Sequence, residues 1–113
     1  MAVSKSYRMF ILERLEGIGV ITSRKMFGGV GIYCDGYFFA LLDDDSLYFK
    51  VHDNNRGDFE ACGMGPFRPY EDDSHVMQYY EVPADVIEED TALREWGQNA
   101  VAVAQQAKRK RKR

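Results

Sequence analysis

The side chains best suited to chemistry in this chain of 113 residues belong to two histidines and two cysteines. Each histidine stands beside carboxylates, in His52-Asp53 and in Asp72-Asp73-Ser74-His75, which is the minimum for an acid–base pair or part of a divalent-metal site. A structural zinc site needs four cysteine or histidine ligands, and this sequence lacks that number at any useful spacing. The sequence therefore predicts no metal and no other cofactor.

The two cysteines, Cys34 and Cys62, show no sign of a nucleophile. A cysteine nucleophile needs a general base and an oxyanion hole, and the sequence around Cys34 offers neither. Neither thiol has the basic neighbourhood of a reactive thiolate, although a redox switch that pairs them stays open. Free thiols suit the reducing cytoplasm, where we expect the protein to reside. We predict that the chain is not an enzyme.

Two further motifs suggest ligand-binding loops but have simpler structural explanations. Gly28, Gly29 and Gly31 suggest a phosphate-binding loop, yet such a loop opens a helix and here a strand follows. We expect these glycines to permit a bend, a bulge or a close approach of two backbones. The acidic run at 43–45 lacks the glycine and terminal glutamate of an EF-hand loop, which favours a solvated turn.

Charge is distributed unevenly along the chain. The net charge is −3, but six of the 15 basic residues fill the last six positions, so residues 1–107 hold nine basic and 18 acidic residues, a net charge of −9. The basic run consists of Lys108, Arg109, Lys110, Arg111, Lys112 and Arg113. Three interpretations stay open: it contacts phosphates, binds an acidic protein, or is a solubilising end. We predict one domain at 1–107 and a disordered basic tail at 108–113.

The hydrophobic pattern predicts an N-terminal helix followed by an antiparallel meander. Apolar residues recur at steps of three and four between 4 and 18, with Ser4 as the N-cap. This apolar face consists of Tyr7, Phe10, Ile11, Leu15 and Ile18. From 21 to 51 short β-branched and aromatic runs follow, and Asp35-Gly36 fits a two-residue hairpin turn because both residues tolerate positive φ. The strands within this meander are expected at 29–34, 37–42 and 47–51.

The second half of the chain predicts a mixture of helices and strands. Its expected elements are a helix at 54–62, strands at 67–70 and 77–82, and a short helix at 83–89. A last helix begins near Asp90, because apolar residues form one stripe from Leu93 to Ala107. No run approaches the roughly 20 apolar residues of a membrane span. These elements predict an α+β fold with an antiparallel sheet of five to six strands and with N-terminal and C-terminal helices.

Aromatic residues in the meander raise the question of a base-stacking platform. Such platforms are interleaved with Lys and Arg, and only Lys50 lies close to these aromatics in the sequence. Packing of the sheet against helices is the better explanation. The aromatic residues are Tyr33, Tyr37, Phe38, Phe39, Tyr48 and Phe49.

The most specific pattern in the chain is a glycine-rich stretch that leads into the hairpin. Met-Phe-Gly-Gly-x-Gly-Ile-Tyr begins at Met26, an Asp-Gly turn follows, and Leu-Tyr-Phe-Lys-Val begins at Leu47. These segments resemble the hallmark region of the TfoX N-terminal domain of the TfoX/Sxy competence regulators, and the similarity covers roughly residues 5–105. The residues of this structural motif are Met26, Phe27, Gly28, Gly29, Gly31, Tyr33, Asp35 and Gly36.

The resemblance implies a two-layer fold, with the N-terminal and C-terminal helices packed on one antiparallel sheet, and adds no catalytic residues. Full-length members of the family carry a second, C-terminal domain and promote expression of DNA-uptake genes together with the cyclic-AMP receptor protein. The resemblance thus implies a regulatory domain that acts through a protein partner, with transcription machinery as a candidate. The alternative is a nucleic-acid-binding protein that uses its basic tail, with Arg24, Lys25 and Lys50 as further candidate phosphate contacts. Homodimerisation is also plausible, because the edge strands of a short sheet must be covered or paired.

Overall fold

The computed structural model describes residues 4–26, 29–67 and 78–111. It has two layers, with helices packed on one antiparallel sheet of five strands in the order β1-β2-β3-β4-β5. The strands are β1 (Ile21–Met26), β2 (Gly29–Cys34), β3 (Tyr37–Asp43), β4 (Ser46–Lys50) and β5 (Tyr79–Glu81). The helices are α1 (Lys5–Leu15), α2 (Asp53–Ala61), α3 (Ala84–Glu88) and α4 (Asp90–Arg111). The predicted two-layer α+β fold is confirmed.

Helix α1 begins where the sequence predicted, and its packed face is turned toward Leu12 and away from Phe10. The Tyr7 backbone N–H donates to Ser4 Oγ at 3.2 Å, which makes Ser4 the N-cap. Ile11 and Leu15 are fully buried, whereas Phe10, expected on the same face, is 43% exposed. Partly buried side chains also pack on the core, and these are Tyr7, Leu12 and Ile18. The Arg14 guanidinium lies 5.1 Å from the ring centroid of Phe10.

Two tight turns with positive φ form the hairpins of the meander. Asp35 and Gly36 join β2 to β3 with φ of 52° and 86°, as the sequence predicted. Asp44 and Asp45 join β3 to β4 with φ of 49° and 58° and are exposed. The acidic run is therefore a solvated turn, and it also anchors α1, because the Ser4 backbone N–H donates to Asp45 Oδ1 at 2.9 Å.

A β-bulge in β3 gives the core one extra side chain. Ile32 pairs with Ala40 and Tyr33 with Phe38, so Phe39 has no partner across the ladder. Phe39 and Ala40 are consecutive, yet both are fully buried in the core between sheet and helices. The ring of Phe39 lies 5.8 Å from that of Phe49, which faces the same helices.

Helix α4 is the main cover of the sheet and approaches it closely at Gly97. A Cβ added there would lie 3.2 Å from Ile18 Cδ1, 3.5 Å from Leu15 and 3.6 Å from Phe49. The backbone remains helical as far as Arg111, where the sequence predicted a disordered tail from Lys108. Within the described part of the chain, no helix has the length and apolar character needed to cross a bilayer.

The last strand is shorter than expected. β5 comprises Tyr79–Glu81, within the predicted strand 77–82. Pro66 forms an isolated bridge to Tyr80. Most of the strand predicted at 67–70 lies outside the described residues, as do Asp72, Asp73 and His75.

Candidate interaction surfaces

Of the residues proposed for an acid–base pair, the structure describes His52 and Asp53. His52 precedes α2, and its backbone N–H donates to Asn55 Oδ1 at 2.7 Å, while the Asn55 amide donates to the Lys50 carbonyl at 3.0 Å. Asp53, beside His52, accepts from Arg56 at 2.7 Å. Among the described residues, no three His, Cys, Asp or Glu side chains lie close enough to hold a metal ion. The His52-Asp53 pair thus lies at the start of a helix.

The two cysteines are free and lie in contrasting environments. Cys62 is exposed, whereas Cys34 is buried with its Sγ 3.7 Å from the Ile18 carbonyl oxygen. Burial raises the pKa of the Cys34 thiol, and the adjacent Asp35 carboxylate raises it further. A buried thiol that resists ionisation is a core side chain, the opposite of an activated nucleophile.

The glycine-rich motif holds three strands in register. A Cβ on Gly29 would overlap the backbone carbonyl oxygen of Leu42 on the neighbouring strand, so only glycine fits without a shift. Buried Gly31 lies opposite Leu41 on one side and Arg24 on the other. Phe27 and Gly28 lie outside the described residues, and Met26 is the last residue of β1.

The end of the motif joins the β2–β3 turn to the residue before β1. The Asp35 carboxylate accepts from the Val20 backbone N–H at 3.0 Å, and the Asp35 N–H donates to the Val20 carbonyl at 2.9 Å. Tyr33 stacks on Phe38, with ring centroids 5.2 Å apart. In the described residues the motif therefore builds the sheet and places β1 at its edge.

The sheet face away from the main core carries a cluster of aromatic rings that pack on one another. Phe38 lies 5.3 Å from Tyr79, and Tyr48 lies 5.0 Å from Phe67, measured between ring centroids. Phe67 and Tyr79 are buried, so their rings are not open to stacking by bases. The Lys50 ammonium lies 5.1 Å from the Tyr79 ring centroid. The sequence analysis expected packing against helices, which holds for Phe39 and Phe49, whereas Phe38 and Tyr48 pack within this second cluster.

A groove runs between the sheet and the C-terminal part of α4. Two adjoining cavities, of about 250 and 180 Å³, share Lys50 and Ala107 in their walls. The larger is lined by Tyr33, Tyr37 and Phe38, and the smaller by Val51 and Val103, among other residues. His52, Gln78 and Gln106 also line the smaller cavity, so the groove has both apolar and polar walls.

The two edges of the sheet differ in their cover. At β5, the Phe67 N–H donates to the Tyr79 carbonyl at 2.6 Å and the Glu81 N–H donates to the Gly65 carbonyl at 3.2 Å. The chain at 65–67 thus pairs with this edge. No comparable backbone hydrogen bond reaches the outer side of β1 from the residues that the structure describes.

The phase of the ladder shows which peptide groups of β1 face outward. The Asp35 N–H bonds to the Val20 carbonyl, and hydrogen-bonded pairs alternate along an antiparallel ladder. Thr22 and Arg24 therefore bond to β2. Ile21, Ser23 and Lys25 direct their N–H and C=O groups away from the sheet, where a further strand would bind.

Strand β1 has an apolar end and a basic end. Val20, just before the strand, is 68% exposed. Arg24 and Lys25 are exposed, and their partners across the sheet are Gly31 and Val30, which carry no charge. The ion pairs found among the described residues involve neither cation. In a chain with an acidic body, this edge presents two adjacent positive charges without a carboxylate partner among the described residues.

A meander of five strands covered by helices, with a glycine-rich hairpin at one edge, defines a two-layer α+β domain. The family model of the TfoX N-terminal domain matches residues 13–104, which is most of the chain. The chain belongs to this family, as the sequence motif indicated. A comparison with curated proteins found no match.

Proposed function

We propose that this TfoX N-terminal domain is a regulatory module without enzymatic activity, and that it acts in the cytoplasm by binding another protein. The observation that carries the proposal is the open edge of β1, with three residues whose peptide groups face outward. Exposed strand edges are templates for pairing with another chain. Transcription machinery is the candidate partner that the family resemblance favours.

The chemistry of the described residues supports binding over catalysis. The Asp53 carboxylate is paired with Arg56, and the Cys34 thiol is buried with a raised pKa. Nucleophilic catalysis needs a positioned base and an activated nucleophile in one concave site. The cysteine nearest to that description is thus in the core, and the walls of the groove beside α4 hold neither cysteine.

Affinity capture with chemical crosslinking tests the proposal. The tagged full chain is compared with the variant K108Q/R109Q/K110Q/R111Q/K112Q/R113Q, which removes the six terminal charges without shortening the chain. The proposal predicts that both proteins enrich the same partner, because the folded body makes the specific contact. Failure of the intact chain to enrich any protein above a tag-only control would contradict it.

A second candidate function is non-specific nucleic-acid binding by the basic run. The observation that favours it is the continuation of helix α4 as far as Arg111, which joins the basic run to the body through regular helix. Binding to phosphates releases counterions, so affinity must fall steeply with salt.

Fluorescence anisotropy with labelled duplex and single-stranded DNA tests this second function. It predicts that the full chain binds at low salt, that binding fades at physiological salt, and that the K108Q/R109Q/K110Q/R111Q/K112Q/R113Q variant does not bind. Absence of binding by the full chain at low salt would refute it. Equal binding by the variant would refute the role of the basic run and place the contact on the acidic body.

A further inference from the structure

We infer that the partner of β1 is an extended acidic segment of another protein, which adds to the sheet as an antiparallel sixth strand. This inference rests on the proposed function and names the surface and the chemistry of the partner. The other edge of the sheet is already paired with residues 65–67, so β1 is the edge that the described residues leave open.

The backbone geometry of β1 fixes where the added strand would bond. Ile21, Ser23 and Lys25 face outward, so the added strand exchanges hydrogen bonds with these three residues. The added strand bonds through the N–H and C=O groups of its first, third and fifth residues, which lie opposite Lys25, Ser23 and Ile21. The amides of its intervening residues point away from β1 and contribute nothing to the pairing.

The side chains of β1 fix the pattern of the added strand. Its first two residues lie opposite Lys25 and Arg24, two exposed cations without carboxylate partners among the described residues, so both are acidic. Its fifth residue lies opposite Ile21, which packs partly against the main core, and its sixth opposite the exposed Val20. The fifth and sixth residues of the added strand are therefore apolar. An antiparallel peptide that contains Glu-Glu-Thr-Thr-Val-Val has this pattern.

A second copy of this chain fits the edge less well. Two β1 strands paired antiparallel about Ser23 would put Lys25 of each copy opposite Ile21 of the other. Each Arg24 would then lie opposite a Thr22, so none of the four cations would have an anion opposite it. Exposed charge on an edge strand is a known device against self-pairing. Charge complementarity therefore favours a partner whose strand is acidic.

The test is titration of a labelled peptide with Glu-Glu-Thr-Thr-Val-Val at its centre into the full chain, followed by fluorescence anisotropy. The inference predicts saturable binding that weakens at high salt, and no binding when the two glutamates are lysines. The variant R24E/K25E should weaken binding by about tenfold or more, because two attractive cross-strand pairs become repulsive. The matched variant K5E/R8E makes the same change in net charge on α1 and should bind like the parent.

Two backbone tests separate strand addition from simple charge attraction. Ser23→Pro removes an N–H that faces outward and spares the bonds to β2, so it should abolish binding while circular dichroism stays unchanged. If that variant misfolds, the peptide supplies the same test. N-methylation at its third residue should reduce affinity by about tenfold or more, whereas N-methylation at the fourth should leave it nearly unchanged.

Several outcomes would overturn the inference. These are no binding of the acidic peptide, binding that the third-residue N-methyl group does not weaken, and binding that R24E/K25E leaves intact. Self-association in analytical ultracentrifugation that Ser23→Pro abolishes, without peptide binding, would assign the edge to a second copy. A cellular partner that the folded Ser23→Pro chain still captures would leave the proposed function standing and refute this surface.

Discussion

Gly29 and Gly57 offer a pair of glycine-to-alanine substitutions with opposite expected effects. A Cβ at Gly29 would overlap the backbone carbonyl oxygen of Leu42, so the strands β2 and β3 must separate to accept it. Overpacking a core costs about 1–3 kcal/mol, and a rigid backbone neighbour places Gly29→Ala at the upper end, about 3 kcal/mol. Gly57 lies in α2 with nothing within 4 Å of an added Cβ. Gly57→Ala should stabilise the protein by about 0.5–1 kcal/mol.

Urea denaturation followed by circular dichroism measures both effects as free energies of unfolding. At about 4 °C per kcal/mol for a domain of this size, the melting temperature should fall by about 12 °C in Gly29→Ala and rise by about 2–4 °C in Gly57→Ala. A Gly29→Ala protein within about 0.5 kcal/mol of the parent would refute the close approach of β2 and β3. It would also remove the structural explanation of the glycine-rich motif.

Three further predictions concern the core and the thiols. Phe49→Ala should destabilise the protein by about 3–5 kcal/mol in urea denaturation, because Phe49 is fully buried against Phe39. Above about pH 8.5 the free energy of unfolding should fall as pH rises, since the unfolded Cys34 thiol ionises at a lower pH than the folded one, and Cys34→Ala should lessen this slope. A thiol reagent should label the exposed Cys62 in the native protein and Cys34 only after unfolding, as mass spectrometry would show; equal labelling rates would contradict the burial of Cys34.

Local signals in the sequence predicted the parts of the fold that depend on a few adjacent residues. Asp35-Gly36 forms its hairpin turn because both residues adopt positive φ, and Ser4 caps α1 because its hydroxyl reaches the Tyr7 N–H. The strands β2, β3 and β4 and the long C-terminal helix follow from such patterns, whereas β1 (Ile21–Met26) was not among the predicted strands. The family resemblance added the packing of helices on one antiparallel sheet.

Features that depend on contacts between distant residues could not be predicted. Phe10 fits the periodicity of a buried helix face, but α1 packs through the side that includes Leu12 and leaves Phe10 43% exposed. Phe39 breaks the alternation of β3 because a bulge turns it inward beside Ala40. The acidic turn was predicted as a turn, but its anchoring of α1 through Asp45 depends on residues 41 positions apart.

The candidate interaction surface on β1 could be predicted from the sequence only in part. The sequence indicated that edge strands need cover, but it did not show which edge is open. The structure shows that β1 is the open edge, because residues 65–67 pair with β5 at the other edge. Residues 65–67 are far from β1 in the sequence, so local patterns do not reveal this pairing. Arg24 and Lys25 drew attention in the sequence as candidate phosphate contacts. Their uncharged neighbours on β2 and their place on the open edge make them candidates for an acidic strand.

The open edge of β1 is tested most directly by residue-resolved amide exchange in the free chain, measured by NMR. The structure predicts an alternation, with slow exchange at Thr22 and Arg24, whose amides bond to β2, and fast exchange at Ile21, Ser23 and Lys25. Addition of the acidic peptide should slow the exchange of the three fast amides. Uniform protection of all five amides in the free chain would show that the edge is already covered and would contradict the account.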